Sequence, residues 1–217
     1  RAQIEACFAD FDIGAVKLGM LAASDVIQTV ADALDERRPR FVVLDPVMVA
    51  TSGARLLQDS ALHALRARLL PLADVVTPNL PEAELLLGHS IASVAAMRDA
   101  ARELLQLGAR NVLLKGGHLR DTRAMIDVFA DAAGVHDIVH PRIDFGEAHG
   151  TGCTLASAIA ARLCRGSHLH EACTAAADYV HRALRLGYRA AHGDMLLLDH
   201  FGAAPASLRP APHDSTQ

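Results

Sequence analysis

The residues best able to do chemistry lie in a few short stretches, and the strongest is GTGC at Gly150, Thr151, Gly152 and Cys153. It stands directly before an apolar, alanine-rich run of helical period. Free backbone N–H groups at the positive end of a helix dipole make an anion site. Such a site suits a phosphate, or the charge that develops during phosphoryl transfer. It is not a Walker loop, because GxxxxGK[ST] occurs nowhere in the chain. A thiol placed there is expected to have a lowered pKa, which makes Cys153 a candidate base or nucleophile. The plainer reading of a cysteine is a small buried hydrophobe, and it suits Cys7, Cys164 and Cys173, which fall within helical apolar patterns.

Three further stretches end apolar runs in polar or glycine-bearing turns. In TPNLPEAELLLG, Asn79 precedes Pro81 at a helix N1 position, with Glu82 and Glu84 in the first turn. Asn79 then either caps the helix, with carboxylates near its dipole, or joins Glu82 around a hydrated Mg²⁺ carried by nucleotide phosphates. Asp45 closes the apolar run FVVL before Pro46. A carboxylate delivered by a buried strand needs a cation or a donor, although it can also simply cap the next turn. Lys115 in KGGH follows NVLL, and its two glycines allow close backbone approach to a bulky anion or form an ordinary tight turn.

Elements must bring these stretches together. Short β-branched runs alternate with segments of helical period, which predicts an α/β fold with a buried, mostly parallel sheet. Strands are expected at about 14–18, 41–45, 74–77 and 111–115, and helices at about 24–37 (opening on Ser24 as N-cap), 60–69, 81–87, 93–107, 153–164 and 169–186. AMIDVFADAAGVHDIVH reads as an antiparallel hairpin at the sheet edge. In an open parallel sheet the turns after the strands share the carboxyl edge, where ligands bind, so the stretches after the four strands converge on one site.

Composition narrows the classes. The chain has 217 residues, 51% of them hydrophobic, enough for a single globular domain over residues 1–200. The Pro- and Ala-rich end, 201–217, reads as a mobile tail. A net charge of -4 with no basic block argues against nucleic acid and anionic membranes as partners. The longest run without Asp, Glu, Lys or Arg around the glycines, Ala148–Ala161, falls short of the roughly 18 apolar residues of a membrane span. Four cysteines without a CxxC pair fit a reduced, cytoplasmic setting. The chain opens on RAQIEACFADF, a helix already under way, so its natural beginning is expected upstream of Arg1.

KLGML, VVLDPVMVATSG, TPNLPEAELLLG, VLLKGGH and HGTGCTLASAIAA, in this order, resemble the hydroxymethylpyrimidine/phosphomethylpyrimidine kinases of thiamine biosynthesis, over about residues 1–200. The resemblance implies a ribokinase-like three-layer α/β/α sandwich whose N-terminal glycine-rich segment lies outside these residues. It implies use of ATP and Mg²⁺ to phosphorylate 4-amino-5-hydroxymethyl-2-methylpyrimidine and then its monophosphate. By the matching motifs, Gly150, Thr151 and Gly152 form an anion hole, and Cys153 stands where most of the superfamily has an aspartate base. Lys115, Asn79 and Glu82 belong to the nucleotide, and Asp45 and Glu82 to the metal. By the same resemblance Met20 lines the pyrimidine pocket, with Val47 and Met48 as its neighbours. A cytoplasmic homodimer is the expected state. Pyridoxal/pyridoxine kinase is the alternative activity, and a non-catalytic pyrimidine- or nucleotide-binding relative is the alternative class.

Overall fold

The computed structural model describes residues 1–48, 58–119, 124–144, 146, 148–189 and 195–205. Its centre is a six-stranded sheet in the order β1 (Val16–Leu18), β2 (Val42–Leu44), β3 (Val75–Val76), β4 (Val112–Leu114), β5 (Ala124–Ala130) and β6 (Val135–Pro141). The first four strands are parallel, and β5 and β6 form the expected antiparallel edge hairpin. Asp131 fixes that hairpin turn by accepting the Ala133 and Gly134 amides at 2.8 and 3.0 Å. A small pair, β7 (Tyr188–Arg189) with β8 (Leu196–Leu197), is an addition that sequence periodicity does not reveal.

Side chains along a strand alternate between faces, and the core divides accordingly. Val42, Leu44, Val76, Val112 and Leu114 pack against α2 (Ser24–Arg37), α3 (Asp59–Ala64), α4 (Leu80–Leu87) and α5 (Val94–Gln106). Val43, Val75, Leu113 and Phe129 pack against α6 (Thr151–Cys164) and α7 (Leu169–Arg185). This is the three-layer α/β/α arrangement. Burial of the strands on both faces explains why they read as unbroken apolar runs.

Several local expectations shift. Ser24 is the first residue of α2 rather than its cap: Ala23 holds the N-cap position with no side-chain bond. The helix expected over 60–69 is α3 continued by a π turn at Leu65–Leu69, with a 3-10 turn at Leu70–Leu72 in which Pro71 cannot donate the next amide. Helix α6 begins at Thr151, so Thr151 and Gly152 lie within its first turn, with Gly150 as its N-cap. α1 (Ala2–Asp10) buries no residue fully, and both Cys7 and Cys164 are exposed. Only Cys173 among the three is the buried hydrophobe expected, and burial pushes its thiol up to about 12. Residues 201–205 form a turn with Ala203 buried, while the rest of the expected tail, 206–217, and the loop residues 49–57 lie outside the described residues. Among the described residues no helix is long and apolar enough to cross a membrane.

Candidate active site

The sheet's carboxyl edge carries a row of polar residues on the α6 face. Asp45, Thr77 and Lys115 each lie two positions beyond a residue that packs against α6 and α7, namely Val43, Val75 and Leu113. The backbone ladder continues past the strand ends to position them: the amides of Asp45, Thr77 and Lys115 each bond the neighbouring chain at 2.9 Å. Alternation then turns their side chains towards the first turn of α6.

Asp45 is the hub. It is only 1% exposed, and its Oδ1 accepts from Lys115 Nζ at 2.9 Å and from Thr77 Oγ1 at 3.3 Å. Lys17 Nζ stands 3.7 Å from its Oδ2. The reading in which Asp45 faces a cation therefore holds. A carboxylate this deeply buried persists because two ammonium groups and a hydroxyl offset its desolvation.

Gly152 brings α6 onto this cluster. A Cβ there would lie 3.0 Å from Lys115 Nζ, so the ammonium occupies the space of a side chain. Gly150 is the N-cap with φ +84, a left-handed conformation that glycine adopts without a Cβ penalty, and no side chain caps the helix. The first-turn amides stay available to an anion beside Lys115.

Asn79 and Glu82 form a capping box. Asn79 Oδ1 accepts the Glu82 amide at 2.9 Å, and Glu82 Oε2 accepts the Asn79 amide at 2.8 Å. Burial pushes the Glu82 carboxyl up, against the opposing pull of Lys115 and of backbone hydrogen bonds at Asn79 and Met48. A parallel bridge between Asn79 and Lys115 ties this helix start to the KGG turn.

The KGG turn is itself anchored by Asp127, which sequence reading missed. Its Oδ1 accepts the Gly116 amide at 2.8 Å, and its burial raises the carboxyl pKa. Gly116 admits no side chain, since a Cβ would fall 1.9 Å from the Ile126 carbonyl oxygen. A cavity of about 190 Å³ opens here, lined by the polar residues Asn79, Lys115, Asp127 and Thr151 with Gly152, and by the apolar residues Leu155, Val180 and Leu184. Donors that suit phosphate oxygens and apolar walls that suit a flat ring thus line one cavity.

The remaining expectations divide. Cys153 is exposed and lines a groove of about 940 Å³ with Ser157, Arg162, Tyr179 and His200, while Thr151 and Gly152 line the smaller cavity. Met20 is 56% exposed just past β1, and Val47 is half-buried. Met48 is wholly buried within the core on the α2–α5 face, so packing, rather than an open pocket, holds its side chain. Lys17 and Thr77 join the site unforeseen. A lysine inside the apolar run GAVKL was the available signal for the first.

The chain is similar to several known proteins. A family model described as phosphomethylpyrimidine kinase matches residues 1–197. The thiamine biosynthesis bifunctional protein ThiED of Geobacter sulfurreducens is 50% identical over 184 residues, which cover 85% of this chain and 37% of that protein. The hydroxymethylpyrimidine/phosphomethylpyrimidine kinase of Rhizobium meliloti is 47% identical over 184 residues, 84% of this chain and 68% of that one. The chain thus spans little over a third of the bifunctional relative and about two thirds of the single kinase. Among solved structures, an ADP complex of Bacillus subtilis pyridoxal kinase superposes with a TM-score of 0.86 at 32% identity, covering 93% of this chain and 76% of that one. Phosphomethylpyrimidine kinase from Clostridium difficile 630 superposes with a TM-score of 0.73 at 37% identity, covering 84% and 74%. The fold is ribokinase-like, the relatives are kinases, and the chain belongs to the phosphomethylpyrimidine kinase family.

Proposed function

We propose that this protein phosphorylates 4-amino-5-hydroxymethyl-2-methylpyrimidine with ATP, and then phosphorylates the monophosphate to the diphosphate, in thiamine biosynthesis. The observation that carries the reading is the Lys115 ammonium, held 2.9 Å from buried Asp45 beneath the first turn of α6, in a chain matched by the family over residues 1–197. In the first step the hydroxymethyl oxygen attacks the γ-phosphorus while the bond from that phosphorus to the β–γ bridging oxygen breaks. ADP leaves with the bonding electron pair, and the hydroxyl proton passes to Cys153 or to solvent. In the second step an oxygen of the acceptor phosphate attacks, and no strong base is needed. Lys115 and the amides of Thr151 and Gly152 neutralise charge on the transferred group.

Asp45 and Glu82 fit a hydrated Mg²⁺ that arrives with the nucleotide. Both carboxylates are already engaged, one by Lys115 and the other by backbone amides, so they would act through water, as Mg²⁺ prefers. Among the described residues no group of three or more metal-ligating side chains forms an all-protein cage. The ion would supply charge neutralisation at the phosphates. The same reading has the protein a cytoplasmic homodimer.

Pyridoxal is the second reading, favoured by the TM-score of 0.86 with a pyridoxal kinase. Substrate-dependent ADP release by the purified protein separates the two. Under the pyrimidine reading kcat/KM for the hydroxymethylpyrimidine exceeds that for pyridoxal by at least about tenfold. Equal or better turnover of pyridoxal would replace the pyrimidine, and binding of either without ADP release would make the protein a non-catalytic relative.

A further inference from the structure

We propose that Lys17 is the acceptor-side phosphate-binding residue, the group that reads the phosphate of the monophosphorylated pyrimidine and so sets the site's preference between its two acceptors. The inference rests on the two-step reaction proposed above. Its observation is the unequal way in which Asp45 holds two lysines.

Lys115 gives Asp45 Oδ1 a hydrogen bond at 2.9 Å, whereas Lys17 approaches Oδ2 only to 3.7 Å, an ion pair without a hydrogen bond. Among the described residues no hydrogen bond from the Lys17 ammonium is recorded, and its side chain remains 21% exposed. One carboxylate thus faces two ammonium groups, and Lys115 takes the better geometry. The other buried carboxylates of the cluster tie to the Lys115 side: Glu82 accepts the amide of Asn79, which bridges to Lys115, and Asp127 accepts the Gly116 amide. Lys17 therefore carries the surplus positive charge, with donors to spare.

Its place in the fold assigns that charge to the acceptor. In the sheet order, β1 and β4 stand on opposite sides of β2, so Lys17 and Lys115 reach Asp45 from opposite directions. Lys115 lines the cavity with Asn79, Asp127 and Leu184, and Lys17 does not. Instead its Nζ lies 3.0 Å from where a Cβ on Gly19 would stand, so the ammonium folds over the turn that leads into exposed Met20, and Gly19 leaves it the room.

The chemistry requires a cation there. The first acceptor is a neutral alcohol, and the second brings a phosphate of nearly two negative charges, which must approach the equally anionic γ-phosphoryl group. Lys115 and the α6 amides already serve the transferred group. A flexible lysine with unused donors is the point charge suited to the incoming phosphate.

Titration calorimetry without nucleotide tests this directly, with the hydroxymethylpyrimidine and its monophosphate as ligands for the wild type, Lys17→Met and Lys17→Arg. The ratio of the two affinities is expected to shift against the monophosphate by about 10- to 100-fold in Lys17→Met, and to recover most of that in Lys17→Arg. In the wild type, the monophosphate but not the alcohol is expected to protect Lys17 from acetylation, read by peptide mass spectrometry. That second measurement stands even if Lys17→Met does not fold. An unchanged affinity ratio, or equal protection by both ligands, overturns the role of Lys17 and leaves the proposed function intact. A wild-type protein that binds neither pyrimidine overturns the function itself.

Discussion

Lys115→Met is expected to lower kcat by about a hundred- to a thousandfold, the cost of removing one preorganised charge from a developing anion. The side chain keeps its length and apolar stem, so the substitution deletes the ammonium and little else. The fold is expected to survive, because Asp45 keeps Thr77 at 3.3 Å and Lys17 at 3.7 Å as partners. Some stability is lost as well, about 1 to 3 kcal/mol for a buried acceptor deprived of its best donor. Steady-state kinetics with a melting curve on the same preparation separates the two effects. A kcat within tenfold of the wild type would remove Lys115 from the chemistry and leave it a structural partner of Asp45.

Asp45→Ala acts from the other side of the same pair. It leaves the Lys17 and Lys115 ammonium groups converging on a space with no counter-charge, and it strands the Thr77 hydroxyl. Breaking a fully buried pair costs about 3 to 5 kcal/mol. Here the lysine side chains are 21% and 15% exposed and can turn towards water, so about 1 to 3 kcal/mol is the better figure. For a domain of this size that lowers the melting temperature by roughly 3 to 10 °C. Activity is expected to fall further than stability alone explains, by about a hundredfold, because Lys115 loses the group that aims it. Asp45→Asn keeps the shape and one acceptor oxygen, so it should fall between the two. An alanine variant that melts at the wild-type temperature would show that the lysines do not depend on this carboxylate.

Much of this was legible in the residues. The apolar runs around Val43, Val75 and Leu113 gave strands, and the polar residues ending them gave a shared edge, because parity along a strand carries a side chain's face past the strand's last ladder bond. Capping by Asn79 was one of two readings the sequence offered, since Asn, Pro and Glu sit at the spacing that helix starts require, and the structure adds the reciprocal bond from the Asn79 amide to Glu82. Lys17 was hidden because a lysine within a short apolar strand usually turns its charge to solvent, and only the register opposite Val43 shows that it faces Asp45's side. Asp127 was hidden for a related reason. Its role depends on antiparallel pairing that sets Val128 opposite Leu114, and no local pattern fixes that register. Cys153 shows a third limit. Sequence sets it beside Gly152, yet successive helix residues lie about 100° apart, and Cys153 lines a groove in whose wall Gly152 takes no part. The burial of Met48 was hidden as well, because the chain beyond β2 reads as loop although Met48 still packs into the core.

The central claim is that one site serves both phosphorylations, with Lys115 and the α6 amides on the transferred group in each. The most direct measurement counts ADP formed per molecule of limiting hydroxymethylpyrimidine in excess ATP and Mg²⁺, while chromatography follows the pyrimidine species. The account predicts two ADP per pyrimidine, with the monophosphate rising and then falling as the diphosphate accumulates. Release of a single ADP with a permanent monophosphate would contradict the second step, and ADP release independent of the pyrimidine would contradict the account as a whole.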